Sequence, residues 1–131
     1  MATSVIQGSE IKLSVTVEDF TAATLKTATS VKAAFYINGK KKSTSVLFDR
    51  DSESAEPDDQ GVVTYGMKED TNDKTGNTYI LVVPTKGMGA GSLLGEISIT
   101  YTDADAASPV NDGQITEVYS VNPDVAIVTL G

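Results

Sequence analysis

The stretch of residues 10–18, EIKLSVTVE, decides the fold class of this chain. In it Ile11, Leu13, Val15 and Val17 alternate with polar side chains. An alternation with a period of two is typical of a β-strand that has one buried and one solvated face. The stretch therefore predicts a sheet that packs one face on a hydrophobic core.

Similar runs follow along the chain. Residues 31–38 alternate in the same way, and Asn38-Gly39 predicts a two-residue hairpin turn because both residues tolerate positive φ. The return strand is expected over residues 40–48. Runs rich in Val, Ile, Thr and Tyr predict further strands at residues 61–65, 79–83, 96–101, 115–121 and 125–130. The run 79–83, YILVV, is apolar on both faces and predicts a central strand covered on both sides.

The length of 131 residues suits one domain, and we expect a single domain over residues 1–131. Turn-rich clusters separate the predicted strands at the spacing found in sandwiches and barrels. No stretch has the periodicity of an amphipathic helix. The sequence therefore predicts an all-β domain.

Composition excludes several functions. The chain has no Cys and no His, which removes thiol chemistry, imidazole bases and zinc sites of the Cys/His type. Its net charge of −8 has the wrong sign for attraction to nucleic acid or anionic lipid. The start lacks the basic and apolar regions of a secretory signal, so we expect synthesis in a cytoplasm. We expect no enzyme, no cofactor, no nucleic acid and no membrane contact.

Two motifs invite a ligand. The run GMGAG at residues 87–91 is glycine-rich, but it lacks the spacing of a dinucleotide loop and the Lys of a phosphate loop, so a connection between strands is favoured. Asp49, Asp51 and Glu53 have the opening spacing of an EF-hand loop. Ser54 and Gln60 replace the Gly and Glu that such a loop needs. A solvated acidic loop is favoured, and calcium binding is left open.

Charge is distributed unevenly along the chain. Residues 1–48 carry six Lys and three acids, +3, and residues 49–131 carry four basic and fifteen acidic residues, −11, which sum to −8. The candidate interaction residues are a basic group at the predicted hairpin tip, Lys40, Lys41 and Lys42, and an acidic group that follows it, Asp49, Asp51, Glu53, Glu56, Asp58 and Asp59. A strand of nine residues would separate the two groups by about 30 Å. Two solvated ends that aid solubility are the simpler interpretation. If the groups do make contacts, we expect these to be with other molecules rather than with each other.

The order of several short segments resembles immunoglobulin-like β-sandwich modules of tailed-phage virions, including those of crAss-like phages of gut Bacteroides. The segments are residues 8–13 (GSEIKL), 61–65 (GVVTY), 95–101 (GEISITY), 103–105 (DAD) and 112–118 (DGQITEV), followed by a last strand at 125–128. The resemblance implies an immunoglobulin-like antiparallel sandwich of about seven or eight strands.

It also implies a function in assembly. Such modules serve as head fibres, capsid decoration, neck rings or tail and baseplate connectors. We therefore expect a virion protein, made in the host cytoplasm, that contacts other virion proteins and occurs in multiple copies or as a homo-oligomer. The alternative is a cell-surface adhesion or carbohydrate-binding module.

Overall fold

The computed structural model describes residues 3–17, 20, 25–52, 57–72, 76–103 and 113–129. The described chain forms nine strands: β1 (Thr3–Ile6), β2 (Glu10–Thr16), β3 (Ser30–Ile37), β4 (Val46–Asp49), β5 (Thr64–Gly66), β6 (Lys68–Glu69), β7 (Thr78–Pro84), β8 (Gly91–Thr102) and β9 (Gln114–Thr129). Helical structure in these ranges is limited to a 3₁₀ turn, Leu25–Thr27, and a one-turn helix, α1 (Lys41–Thr44).

The strands form two sheets. One has the order β1-β9-β8-β3-β4-β5 and the other has the order β2-β7-β6. From its second strand onward, the larger sheet has the strand order of the corresponding sheet of a variable-type immunoglobulin domain. The pairs β1–β9 and β4–β5 are parallel, whereas the other strand pairs are antiparallel. The all-β sandwich-like fold that the sequence predicts is confirmed, with parallel pairs at both edges of the larger sheet.

The core lies between the sheets and is filled by the alternating faces that the sequence predicts. Val15 and Val17 are buried on β2 and just after it, and Val31, Phe35 and Ile37 are buried on β3. Phe35 stacks edge-to-face on Phe48 at 5.7 Å. The largest fully buried side chains come from both sheets and their connections: Leu25, Val31, Phe35, Ile37, Phe48, Val83, Thr85, Leu93, Ile97, Ile99 and Val128.

Phe35 also explains a glycine on the neighbouring strand. Gly95 lies directly opposite Phe35 in the β3–β8 ladder. A Cβ at position 95 would lie 2.3 Å from the Phe35 ring, well inside contact distance. The ring therefore packs on the bare backbone of β8, and any larger residue at this position would push it away.

The hairpin after β3 differs from the sequence prediction. Asn38 and Gly39 do form a turn, and Gly39 has a φ of 82°. Phe35, however, pairs with Val46 rather than with a residue close to the turn. The return strand is limited to Val46–Asp49, because α1 occupies the chain that was expected to extend it. The prediction of a strand over residues 40–48 was wrong for residues 40–45 and is confirmed for residues 46–48.

Two further expectations need correction. The strand β7 is central in its sheet, but Val82 is 44% exposed, so only one face of the strand is covered. The two strands expected at residues 115–121 and 125–130 are one strand, β9. Gly95 pairs with Val121 and Leu93 with Ala126, so β9 advances five residues while β8 advances two. A bulge of this kind lets one strand continue through the turn-forming residues that suggested a break.

The connection from β1 to β2 is held by one buried threonine. Thr85 is fully buried; its hydroxyl donates to the Ser9 carbonyl at 2.7 Å and accepts from the Gly8 N–H at 2.9 Å. Gly8 has a φ of 101°, which a side chain would disfavour. This turn lets β1 join the larger sheet while β2 begins the smaller one.

Candidate interaction surfaces

The basic group is built on the turn that follows β3. The Thr44 hydroxyl accepts from the Ile37 N–H at 3.0 Å and donates to the Lys40 carbonyl at 2.6 Å. The Thr44 N–H also donates to the Lys40 carbonyl, at 3.0 Å. These bonds close α1 against the end of β3, although its sequence, KKST, has few helix-forming features of its own. The lysines thus sit on a compact loop and not on an extended hairpin.

The three lysines have different environments. Lys41 folds back over the outer face of the larger sheet, where its Nζ lies 2.5 Å from Glu96 Oε1 and 5.3 Å from the centre of the Tyr36 ring. The Glu96 carboxylate raises the pKa of the Lys41 ammonium. Lys40 and Lys42 are exposed and lie beyond ion-pair distance of every described carboxylate. Two of the three predicted residues therefore remain available to a partner.

The acidic group begins at the opposite end of β3 and β4, next to the only arginine of the chain. The Arg50 guanidinium donates to the carbonyls of Leu25, Ala28 and Thr29 at 2.8–3.2 Å. It also donates two 3.1 Å bonds to the Asp51 carboxylate and lowers its pKa. Arg50 thus ties the 3₁₀ turn and the start of β3 to the end of β4.

The described acids of this segment mostly bind their own backbone. Asp49 Oδ1 accepts from the Asp51 N–H at 2.9 Å. Asp58 Oδ1 accepts from the N–H groups of Gln60 and Val62 at 2.8 and 2.9 Å. Asp51, Asp58 and Asp59 are exposed, so their negative charge faces solvent. Glu53 and Glu56 lie outside the described residues.

Among the residues that the structure describes, no three acidic side chains are grouped so that they could hold a metal ion. In the glycine-rich run, two backbone N–H groups form hydrogen bonds within the chain. The Met88 N–H donates to the Thr85 carbonyl at 3.1 Å, and the Gly89 N–H donates to the Gln7 side chain at 2.5 Å. The next element is the strand β8 and not a helix, so the loop has the geometry of a strand connection.

The distance between the two charged groups is shorter than the sequence predicted. Asp49 pairs with Lys32, five residues before Ile37, where the basic turn begins. At about 3.3 Å per residue this places the two strand ends about 17 Å apart, in place of about 30 Å. The separation is still about twice the Debye length of about 8 Å at physiological salt. Asp49 and Asp51 lie at the opposite end of β4 from the basic turn, whereas Asp58 and Asp59 precede β5, whose first residue lies beside Leu47 on the side of the basic turn.

Three surface hollows lie near these groups. The first, of about 220 Å³, is lined by Lys32, Ala34, Leu47, Asp49 and Glu96 on the outer face of the larger sheet. Two wider ones, of about 470 and 430 Å³, lie at the basic turn and beside β5 to β7. All three are open to solvent, unlike the enclosed clefts in which small ligands are usually buried.

A half-buried carboxylate contact was not anticipated from the sequence. Glu117, on the inward face of β9, accepts hydrogen bonds from the hydroxyls of Tyr101 and Tyr119. Tyr101 also packs edge-to-face on Phe20 at 5.6 Å. Arg50 was missed in the same way, although a lone arginine between two aspartates is a signal that sequence reasoning could have used. Glu117 links the neighbouring strands β8 and β9, and Arg50 links the 3₁₀ turn to the end of β4.

The chain matches no model of a known protein family, no curated protein and no solved structure. Within the described ranges, no helix has the length and apolar character needed to span a membrane.

Proposed function

We propose that this chain is a structural subunit of a tailed-phage virion that works through protein–protein contacts and catalyses no reaction. The observation that carries the proposal is exposed charge of opposite sign on separate turns of one sandwich. Lys40 and Lys42 are exposed on the basic turn, Asp51 is exposed at the opposite end of β4, and Asp58 and Asp59 are exposed on the turn that leads into β5. The resemblance to virion modules supplies the setting.

The geometry supports contacts between molecules. A sandwich that carries separate basic and acidic groups on its surface is complementary to another copy of itself, or to other virion proteins that carry the matching charge. Contacts of this heterologous kind build rings or filaments. Charge complementarity also selects the partner and speeds the encounter.

The environments of the acids support a role other than catalysis. A general acid or nucleophile needs a carboxylate that faces a substrate cleft. Glu117 is engaged by two tyrosine hydroxyls, Glu96 by Lys41, and Asp51 by Arg50. Asp49 and Asp58 accept backbone N–H groups. These contacts stabilise the local structure of the chain, and the exposed parts of Asp51 and Asp58 still face solvent, where a partner can reach them.

Mass spectrometry of purified phage particles tests whether the chain is a virion component, and charge reversal tests the contacts. The double change Lys40→Glu and Lys42→Glu should leave the melting temperature nearly unchanged and reduce incorporation into particles. The matched control is Lys41→Ala, which removes a lysine that is already paired within the chain and should incorporate normally. Absence of the chain from particles, or normal incorporation of the charge-reversed protein at low and high salt, would refute the proposal.

The alternative of a carbohydrate-binding module receives less support. Such modules use exposed aromatic rings as flat platforms for sugars. All eight aromatic side chains of this protein lie in the described residues, and every one is buried or half-buried. We therefore propose assembly and not sugar binding.

A further inference from the structure

The four edge strands of the two sheets differ in length. In the described chain the larger sheet ends in β1 and β5, of four and three residues, and β6 has two residues. The remaining edge strand, β2, has seven. Proteins commonly keep exposed edges short because a long edge offers unpaired backbone groups to another chain. By this measure β2 is the exception.

The hydrogen-bond pattern shows which groups β2 leaves open. The Thr85 N–H donates to the Ser9 carbonyl, and the Val17 N–H donates to the Asn77 carbonyl. Because bonding alternates along an antiparallel ladder, the odd-numbered residues of β2 bond to β7. The N–H and C=O groups of Glu10, Lys12, Ser14 and Thr16 therefore point to the free edge, where no described strand pairs with them.

Two apolar side chains of β2 remain partly exposed. Ile11 and Leu13 face inward but are only partly buried. An added strand beside β2 would cover the exposed parts of Ile11 and Leu13.

We propose that the free edge of β2 pairs in antiparallel fashion with the same edge of a second copy of this chain, about a two-fold axis at Leu13. This register places open residues opposite open residues, Glu10 against Thr16 and Lys12 against Ser14, and forms about eight backbone hydrogen bonds. It joins the two small sheets into one.

The side chains fit this register. On the inward face, Leu13 meets Leu13 of the second copy, and Ile11 meets Val15, so all three contacts are apolar. On the outward face, Lys12 and Glu10 each oppose an uncharged hydroxyl side chain, so no like charges face each other across the seam. A self-complementary patch of this kind is what a two-fold contact requires.

A second copy of the chain is thus one of the partners in the proposed function. The biological purpose of the pairing rests on that function. A contact through one strand is small, and the many copies in an assembly would raise its effective concentration. The pairing itself can be measured on the purified chain.

Sedimentation velocity over a concentration series is the test. The wild-type protein should pass from a species of 13.7 kDa to one of twice that mass. Ser14→Lys places lysine against Lys12 twice in the dimer and should raise the dissociation constant about tenfold at low salt. Adding Lys12→Glu to that variant makes both pairs attractive and should restore dimerisation. Ser14→Ala, the matched control, should dimerise like the wild type.

Ser14→Pro provides a check on the backbone, since it removes an N–H that points to the free edge and that β7 does not use. It should abolish the dimer and keep the sandwich folded. A wild type that stays monomeric at millimolar concentration, or a dimer indifferent to Ser14→Lys, would overturn the inference, even if the chain is found in particles. A dimer that shows the charge-swap pattern supports it, even if particles lack the chain.

Discussion

The two ends of the sandwich each place a cation beside a carboxylate, yet the two pairs differ in what they support. At the acidic end, the Arg50 side chain is 17% exposed and binds three backbone carbonyls in addition to Asp51. At the basic end, the Lys41 side chain is 54% exposed and reaches Glu96 and the Tyr36 ring. An ion pair therefore contributes more to stability when the cation is buried and when several acceptors share it.

The largest effect is expected from Arg50→Ala. The change removes the guanidinium donor from the carbonyls of Leu25, Ala28 and Thr29 and detaches the 3₁₀ turn from the end of β4. We expect a loss of about 2–4 kcal/mol in the free energy of unfolding, measured by urea denaturation. Arg50→Lys should recover only part of it, because a single ammonium cannot reproduce the fork of the guanidinium.

The matched control is Lys41→Ala, which removes an exposed cation–carboxylate pair at the other end. It should cause a far smaller loss than Arg50→Ala. Equal losses for the two variants would contradict the contrast between the ends.

A smaller effect is expected at the basic turn itself. Thr44→Val keeps the shape of the side chain but removes the hydroxyl that bridges Ile37 and Lys40. We expect a loss of about 1–2 kcal/mol in the same denaturation experiment, because the Ile37 N–H loses its acceptor. Ser43→Ala is the control, since the Ser43 hydroxyl lies 3.5 Å from the same carbonyl and should matter little. A neutral Thr44→Val would mean that α1 is held by other contacts.

The smallest effect is a dependence on pH at the acidic end. Arg50 lowers the pKa of Asp51 from an ordinary value of 3.8, so folding favours the ionised carboxylate. The resulting stabilisation is fully present above about pH 4 and is lost as the pH falls through the lowered pKa. Subtracting the stability of Asp51→Asn from that of the wild type should leave a difference that fades in acid. A difference that grows in acid would contradict the assignment.

Much of the fold could be predicted from the sequence because the alternation of apolar and polar residues in a strand shows which face is buried. The alternation in β2 and β3 identified the core face, including Val15 and Phe35. The parallel strand β1 was missed, because four residues are too few to show a period and its pairing with β9 joins opposite ends of the chain. Nothing local marks such a contact.

The candidate surfaces were predicted less completely. Charge counting located both charged groups, but it treated the lysines as equivalent. Lys41 is set apart by Glu96, which is 55 residues away in sequence. The loop between β3 and β4 was also mispredicted. The Asn-Gly signal favours an extended return strand, but the hydrogen bonds of the Thr44 hydroxyl stabilise a helical turn there. Contacts between distant residues decided both points.

The basic and acidic groups are proposed to meet between molecules. Zero-length carbodiimide cross-linking of assembled particles, followed by mass spectrometry, measures this directly, because the reagent joins only amines and carboxylates in contact. Lys41 and Glu96, whose polar atoms are 2.5 Å apart, form a built-in positive control within the chain. We predict links from Lys40 or Lys42 to carboxylates of another polypeptide, lost at high salt. If the internal link forms while Lys40 and Lys42 stay unlinked at low salt, the claim is contradicted.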